Sequence, residues 1–255
     1  MFNLARNTAK GVVTYASITN CGDRPVNEDS VGFCHNGDSW CFILCDGLGG
    51  HGMGDVASSL VVDVFKRCFA DADSCDGFLD NAFVAGQEIL LAEQMELNRA
   101  KQMKTTAVAL VLDGVKKTAT IGYIGDSRGY YFFKGSYRKR TLDHSIPQML
   151  VMTHEIKEKE IRNHPERNIV LRVMGIKWES NMYEVLDPIP YKGRQAFLLC
   201  SDGFWELIEE KEMCSLLKES NNPAEWLTRM EAVVKQNGAG RNMDNYSAIA
   251  VWWTK

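Results

Sequence analysis

Residues 105–133 read TTAVALVLDGVKKTATIGYIGDSRGYYFF. Three runs, at 105–112, 117–124 and 128–133, alternate or stay apolar over strand lengths and are rich in Val, Ile, Thr, Tyr and Phe. Asp113-Gly114 and the Gly-Asp-Ser at 125–127 punctuate them as turns. Connections this short favour antiparallel neighbours, so the stretch predicts three consecutive antiparallel strands.

Upstream, residues 11–19 and 30–35 read as short strands, and Trp40-Cys-Phe-Ile-Leu-Cys45 is continuously apolar, as a strand buried on both faces should be. A glycine-rich turn at 47–54 follows, with Asp55 placed to cap a helix in which Ala57, Leu60, Val61, Val64, Phe65 and Cys68 recur at spacings of three and four. Helical periodicity continues over 76–101. Downstream, 141–180 is mixed and polar with short helices near 148–152 and 155–163. Strands are expected at 182–186 and 196–200, and helices at 204–208, 210–218 and 223–236, the last with Pro223 in its first turn. An apolar strand at 247–253 closes the chain. Strands and helices fall in blocks rather than alternating, which predicts one α+β domain over 1–255.

The chain has 29 Lys+Arg against 33 Asp+Glu, a net charge of −4, and no basic stripe, which argues against nucleic acid as a partner. No apolar run approaches the roughly 20 residues of a membrane helix, and no signal-peptide apolar region follows Met1, so a cytoplasmic protein is expected. The eight cysteines include no C-x-x-C pair. Cys41, Cys45 and Cys200 lie in apolar strand runs and Cys68 on the apolar side of a helix, as reduced thiols packed as small hydrophobes would.

Acidic residues recur at strand ends in small or glycine-rich company: Glu28-Asp29, Asp46, Asp126, Asp202 and Asp244. Taken singly, each is an ordinary turn former or cap. Together, carboxylates converging on one sheet end would repel one another, and a divalent cation would remove that penalty. All-oxygen ligands suit magnesium or manganese rather than zinc. Gly47-Leu-Gly49-Gly-His-Gly52 is formally a dinucleotide fingerprint, but Asp46 would set a carboxylate against the pyrophosphate, and helix follows helix where a Rossmann unit needs a parallel strand. His154-Glu155 fails as a zinc-protease motif because Glu158 stands where the second His belongs.

The motifs RPVNEDSVG, CDGLGGHGMGDVAS, KTTAVALVL, GDSRGYYF, TLDHS, HPERN, SDGFWE and MDNYSAIAV run in order over nearly the whole chain. The set resembles the metal-dependent type 2C protein serine/threonine phosphatases (the PPM family) in their compact bacterial form. The resemblance implies a four-layer α-β-β-α sandwich with a binuclear Mn2+ or Mg2+ centre. In it Asp46 bridges the ions, Asp202 and Asp244 complete one site, and Glu28 with the Gly47 carbonyl serves the other. Asp29 holds water there, and Asp126 matches a third, weaker metal position; read as a residue alone it is a turn Asp. Arg24 becomes the candidate phosphate clamp, since guanidinium offers a planar fork, with a surface salt bridge as the alternative reading. Metal-activated water would hydrolyse phosphoserine and phosphothreonine in proteins, opposing a serine/threonine kinase.

Leu48 occupies the place where many eukaryotic members carry a proton-donating His, and His51 is read as part of the turn or helix start. Lys104 and Glu206 also depart from the family pattern, without touching a ligand. His144 in Asp143-His144-Ser145 is expected to be structural, and the polar segment at about 145–178 matches the family's variable flap, expected to influence substrate choice. Cys45 and Cys200 are expected in the core. A catalytically weak phosphoprotein-binding relative is the alternative function, and a two-metal nuclease fits the acidic balance less well. Nothing in the sequence demands more than a monomer.

Overall fold

The computed structural model describes residues 4–8, 11–48, 52–99, 102–180 and 182–254. The first half holds β1 (Leu4–Thr8), β2 (Gly11–Asn20), β3 (Asp29–Asn36), β4 (Ser39–Asp46), α1 (Gly54–Ala70) and α2 (Phe78–Glu96). Next come β5 (Ala107–Asp113), β6 (Thr118–Ile124), β7 (Arg128–Phe133), β8 (Ser136–Arg140), α3 (Ile146–Met152) and a 3-10 helix over Glu158–Asn163. The last part holds β9 (Glu184–Val185), β10 (Ile189–Pro190), β11 (Gln195–Cys200), α4 (Asp202–Trp205), α5 (Glu210–Glu219), α6 (Pro223–Gly238) and β12 (Tyr246–Thr254).

The strands form two sheets, ordered β1-β2-β12-β11-β7-β8 and β10-β6-β5-β4-β3, with β9 also on β6. Every pairing is antiparallel. Strand alternation divides the apolar residues among three interfaces. Trp40, Phe42 and Leu44 of β4 meet Phe197 and Leu199 of β11 and Ile249 and Val251 of β12 between the sheets. Cys41, Ile43 and Cys45 face the other way, against Val61 and Phe65 of α1 and Phe83 of α2. Leu198 and Cys200 likewise turn outward, to Trp226, Leu227 and Met230 of α6. The four layers α-β-β-α follow, and the continuous apolar run at 40–45 is indeed buried on both faces.

One expectation fails where it mattered most. Strands β5 and β6 are antiparallel neighbours, but β7 leaves that sheet and pairs with β11 and β8 in the other. The 125–127 link is therefore a corner between sheets and not a hairpin. Gly125 makes it, at φ 102°, where an added Cβ would lie 2.6 Å from two side-chain carbons of Thr106. An apolar run on each side of a short turn serves a sandwich corner as well as a hairpin, because both faces of each strand are covered.

Smaller corrections have similar causes. Asp55 does not cap α1: the N-cap is Met53 in the left-handed region with no side-chain bond, and Asp55 sits in the first turn, favourable to the helix dipole. Strand β8, SYRKR, escaped notice because a sheet edge tolerates charge. The strand expected at 182–186 shrinks to Glu184–Val185, and α2 stops at Glu96.

Candidate active site

Asp46 and Asp29 are register partners, the last rung of the β3–β4 ladder. At the same end of the molecule, β11 runs into Ser201 and Asp202, the first residue of α4, and Asp244 lies just before β12. The two sheets thus deliver carboxylates from separate strands to one mouth.

Backbone contacts fix Asp46. Its N–H is donated to Thr106 Oγ1 at 3.2 Å, and its carbonyl accepts from Thr106 N and Thr105 Oγ1, each at 2.9 Å. Gly47 follows, donating its N–H to the Glu28 carbonyl at 3.1 Å. A Cβ at Gly47 would fall 2.2 Å from the Gly54 carbonyl oxygen and 2.7 Å from that of Glu28. Only a residue without a side chain lets these three backbones cross. Gly47→Ala is therefore expected to push the start of α1 off the site, lowering Tm and activity together, as thermal melts and phosphate release will record.

The carboxylates are electrostatically coupled. Desolvation raises the Asp46 pKa well above the usual carboxylate range, helped by Asp29, Asp202, Asp126 and Asp244. Asp202 is raised well above that range in the same way, by desolvation and then by Asp126 and Glu206. Buried Asp126 is pushed up to about 7 by desolvation and Asp143, and Asp29 to about 6 by desolvation. Glu28 is raised by burial and by Asp55. Asp29 accepts from Ser201 Oγ at 2.8 Å through Oδ2, but its Oδ1 is buried with no hydrogen-bond partner. An unpaired buried carboxylate oxygen is costly, and a water held on a cation would satisfy it.

These residues fit a hard divalent cation by charge and by donor type. Among the described residues no three acidic, His or Cys side chains close into a ready metal cage, so the fit rests on burial, repulsion and the orphaned Asp29 oxygen. Arg24 stands on the rim, half exposed, donating Nη2–H to Asp244 Oδ2 at 2.9 Å. Glu28 is held by Asn245, whose Oδ1 accepts from its N–H at 2.8 Å and whose amide bonds the carbonyls of Cys21 and Val26.

His144 is structural, as expected. Its Nδ1 accepts from Gly125 N at 3.1 Å, Nε2 lies 3.3 Å from Glu184, its ring stacks on Tyr123, and burial lowers its pKa. Leu48 donates its N–H to Lys104 O, and Glu206 accepts from Arg167 Nε at 3.0 Å. His51 lies outside the described residues. Cys45 and Cys200 are fully buried.

Sequence reasoning missed the group that ties two of the acidic loops together. Arg128, 1% exposed, makes a bidentate pair with Asp143 at 2.8 and 2.6 Å. Its guanidinium carbon stacks 3.4 Å from the centre of the Trp205 ring. Trp205 in turn donates Nε1–H to the Asp126 carbonyl at 3.0 Å, joining the 125–127 corner to α4 with its Asp202. The motif GDSR-x contained the arginine, but only its neighbours in space reveal the clamp.

Residues 22–245 match the protein phosphatase 2C family. The chain is 35% identical over 235 residues to the serine/threonine phosphatase stp of Listeria welshimeri, covering 88% of this chain and 89% of the relative. Its fold superposes on the serine/threonine phosphatase Stp1 of Staphylococcus aureus with a TM-score of 0.83 at 28% identity, over 93% of each chain. The catalytic domain of the serine threonine protein phosphatase PstP, solved in complex with two manganese ions, gives a TM-score of 0.79 at 26% identity, over 95% of this chain and 99% of that one. With the motifs in order, two antiparallel sheets between helical layers and the acidic mouth at one end, the chain belongs to the protein phosphatase 2C family.

Proposed function

We propose that the chain is a single catalytic domain, residues 1–255, that hydrolyses phosphoserine and phosphothreonine in proteins with Mn2+ or Mg2+. The observation that carries this reading is the set of mutually repelling carboxylates around part-buried Asp46, among them buried Asp29 and Asp126, with one oxygen of Asp29 left unpaired. Asp46, Asp202 and Asp244 would hold one ion, and Asp46 with Glu28 and the Gly47 carbonyl would hold the other. Asp29 would act through a water, and Asp126 would serve a third, weaker ion. Bound there, divalent cations supply positive charge for the phosphoryl oxygens and bring the pKa of a water close to neutrality.

The chain's own residues do the rest. Arg24 offers the phosphate a planar fork, for which Asp244 is the competing partner. Leu48 has no proton to give the leaving alkoxide, so its position does not supply the general acid. Asp29 and Asp46 stay fixed because their strands are paired rung by rung. The segment 145–178, beside the mouth through Arg167 and Glu206, influences which phosphoprotein is accepted. A cytoplasmic monomer opposing a serine/threonine kinase is the setting this reading implies; among the described residues no helix is long and apolar enough to cross a membrane.

The test is phosphate release from a phosphothreonine peptide with manganese, with chelator, and with manganese restored. Release that disappears with chelator and returns with the ion is expected. Absence of release from several phosphopeptides and an aryl phosphate would overturn the reading in favour of a phosphoprotein-binding relative.

A further inference from the structure

At the end of the β3–β4 ladder away from Asp46, Cys34 and Cys41 are register partners. Partners across an antiparallel pair have Cα atoms about 4.5–5.5 Å apart and side chains on one face. That lies inside the roughly 4.4–6.8 Å a disulfide requires. The face is the one beneath α1. Ser30, on the same side, meets Ser58 of α1 at 2.9 Å, and the space over Gly32 is filled by Val62 and Lys66. Cys34 is half-buried and Cys41 fully buried, and all eight thiols are free.

The two thiols are unequal. Hydrogen bonding with Cys41 lowers the Cys34 pKa, assisted by the Lys66 ammonium, whereas desolvation raises that of Cys41 well above the usual thiol range. A more acidic, half-buried thiol beside a fully buried one is the arrangement of an attacking and a resolving cysteine. A cavity of about 600 Å³, lined by Asn36, Ser39 and Cys75 and not by Cys34 or Cys41, lies beside the hairpin tip.

We propose that Cys34 and Cys41 form a reversible thiol–disulfide site, closed by a hydroperoxide and reopened by a dithiol. The Cys34 thiolate attacks one peroxide oxygen. The O–O bond breaks, an S–O bond forms, and the departing oxygen leaves as water after protonation. The Cys41 sulfur then attacks the sulfenic sulfur as its proton passes to the leaving hydroxide. The S–S bond forms, the S–O bond breaks and a second water leaves. Two thiols and one hydrogen peroxide become one disulfide and two waters, the two electrons passing from sulfur to peroxide oxygen.

The experiment treats the folded 255-residue chain with about one equivalent of hydrogen peroxide. Remaining thiols are then blocked with N-ethylmaleimide in denaturant, and a pepsin digest is mapped by mass spectrometry. The expected result is loss of two of the eight alkylatable thiols as a Cys34–Cys41 link, restored by dithiothreitol. Cys34→Ser should leave Cys41 fully alkylatable, and Cys41→Ser should leave Cys34 as a sulfenic acid captured by dimedone. A link from either residue to any other cysteine, a sulfinic acid at Cys34 in the unsubstituted protein, or eight alkylatable thiols after excess peroxide would overturn the proposal. The wild-type map decides the matter even if a variant fails to fold. It counts sulfur atoms and not turnover, so it stands apart from the phosphatase reading.

Discussion

Asp202→Asn is expected to cut phosphate release by at least ~10²–10³-fold, the scale of losing one preorganised electrostatic group, while raising the Tm of chelator-treated protein at neutral pH. The two effects share one cause. Asp202 is desolvated among like charges from Asp126, Glu206, Asp244 and Asp29, and its pKa is raised well above the usual range. A carboxyl whose folded pKa exceeds its unfolded one binds more protons when folded. Its contribution therefore weakens the fold as pH rises from the unfolded toward the folded value, and the penalty is complete above both. Asp29, at about 6, and Asp126, at about 7, add to the same trend. Chelated wild type should thus lose stability as pH climbs from about 4 to 7, the reverse of a salt-bridged carboxylate. Asparagine removes the charge, and each 1 kcal/mol recovered is worth about 2–4 °C in a domain of this size. Melting curves of both proteins against pH, with chelator and with manganese, supply the check. A variant that loses activity and also melts lower in chelator would point to misfolding and sink the explanation.

The second large effect is expected at Asp143→Ala. Removing this carboxylate leaves the guanidinium of Arg128 buried without its bidentate partner, and breaking a buried pair from one side costs about 3–5 kcal/mol. Among the described residues Arg128 then keeps only Tyr130 Oη at 3.2 Å and the more distant Glu210, 3.8 Å away, as polar side-chain partners. Arg140, which also reaches Asp143 at 3.4 Å, loses less because Glu158, Gln148 and the Thr141 carbonyl still hold it. At about 2–4 °C per kcal/mol, the Tm should fall by roughly 6–20 °C. An Arg128→Met, Asp143→Leu double substitution should recover much of that loss, because an apolar pair carries no stranded charge. Its activity should remain low, since the ring of Trp205 loses the cation that fixes it between Asp126 and α4. Denaturant titrations of Arg128→Met, Asp143→Leu and the double variant against the unsubstituted protein give the coupling energy directly. A double variant no more stable than Asp143→Ala would show that packing, and not charge, governs this site.

Much of the fold was legible because period and composition report burial locally. The run Trp40–Cys45 showed a strand covered on both sides, and residues at spacings of three and four showed α1. The acidic residues were legible as a set because each follows a buried strand or precedes one, where a chain emerges from a sheet. Their motifs then identified the family. The β6–β7 link was misread because a three-residue turn carries no record of which sheet receives the next strand. That choice depends on Thr106 crowding Gly125 and on β11 and β8 being available as neighbours.

By itself, the sequence determined the alternation of apolar residues, the blocks of strand and helix, and the chemical identity of the acidic set, since these are properties of neighbours along the chain. The tertiary structure alone decided three things: that β7 changes sheet, that Arg128 and Trp205 clamp the corner to α4, and that one oxygen of Asp29 is buried without a partner. Each involves groups far apart in sequence, such as Asp29 and Ser201, 172 residues away. Their energy comes from desolvation and contact, which exist only once the sheets have closed over them.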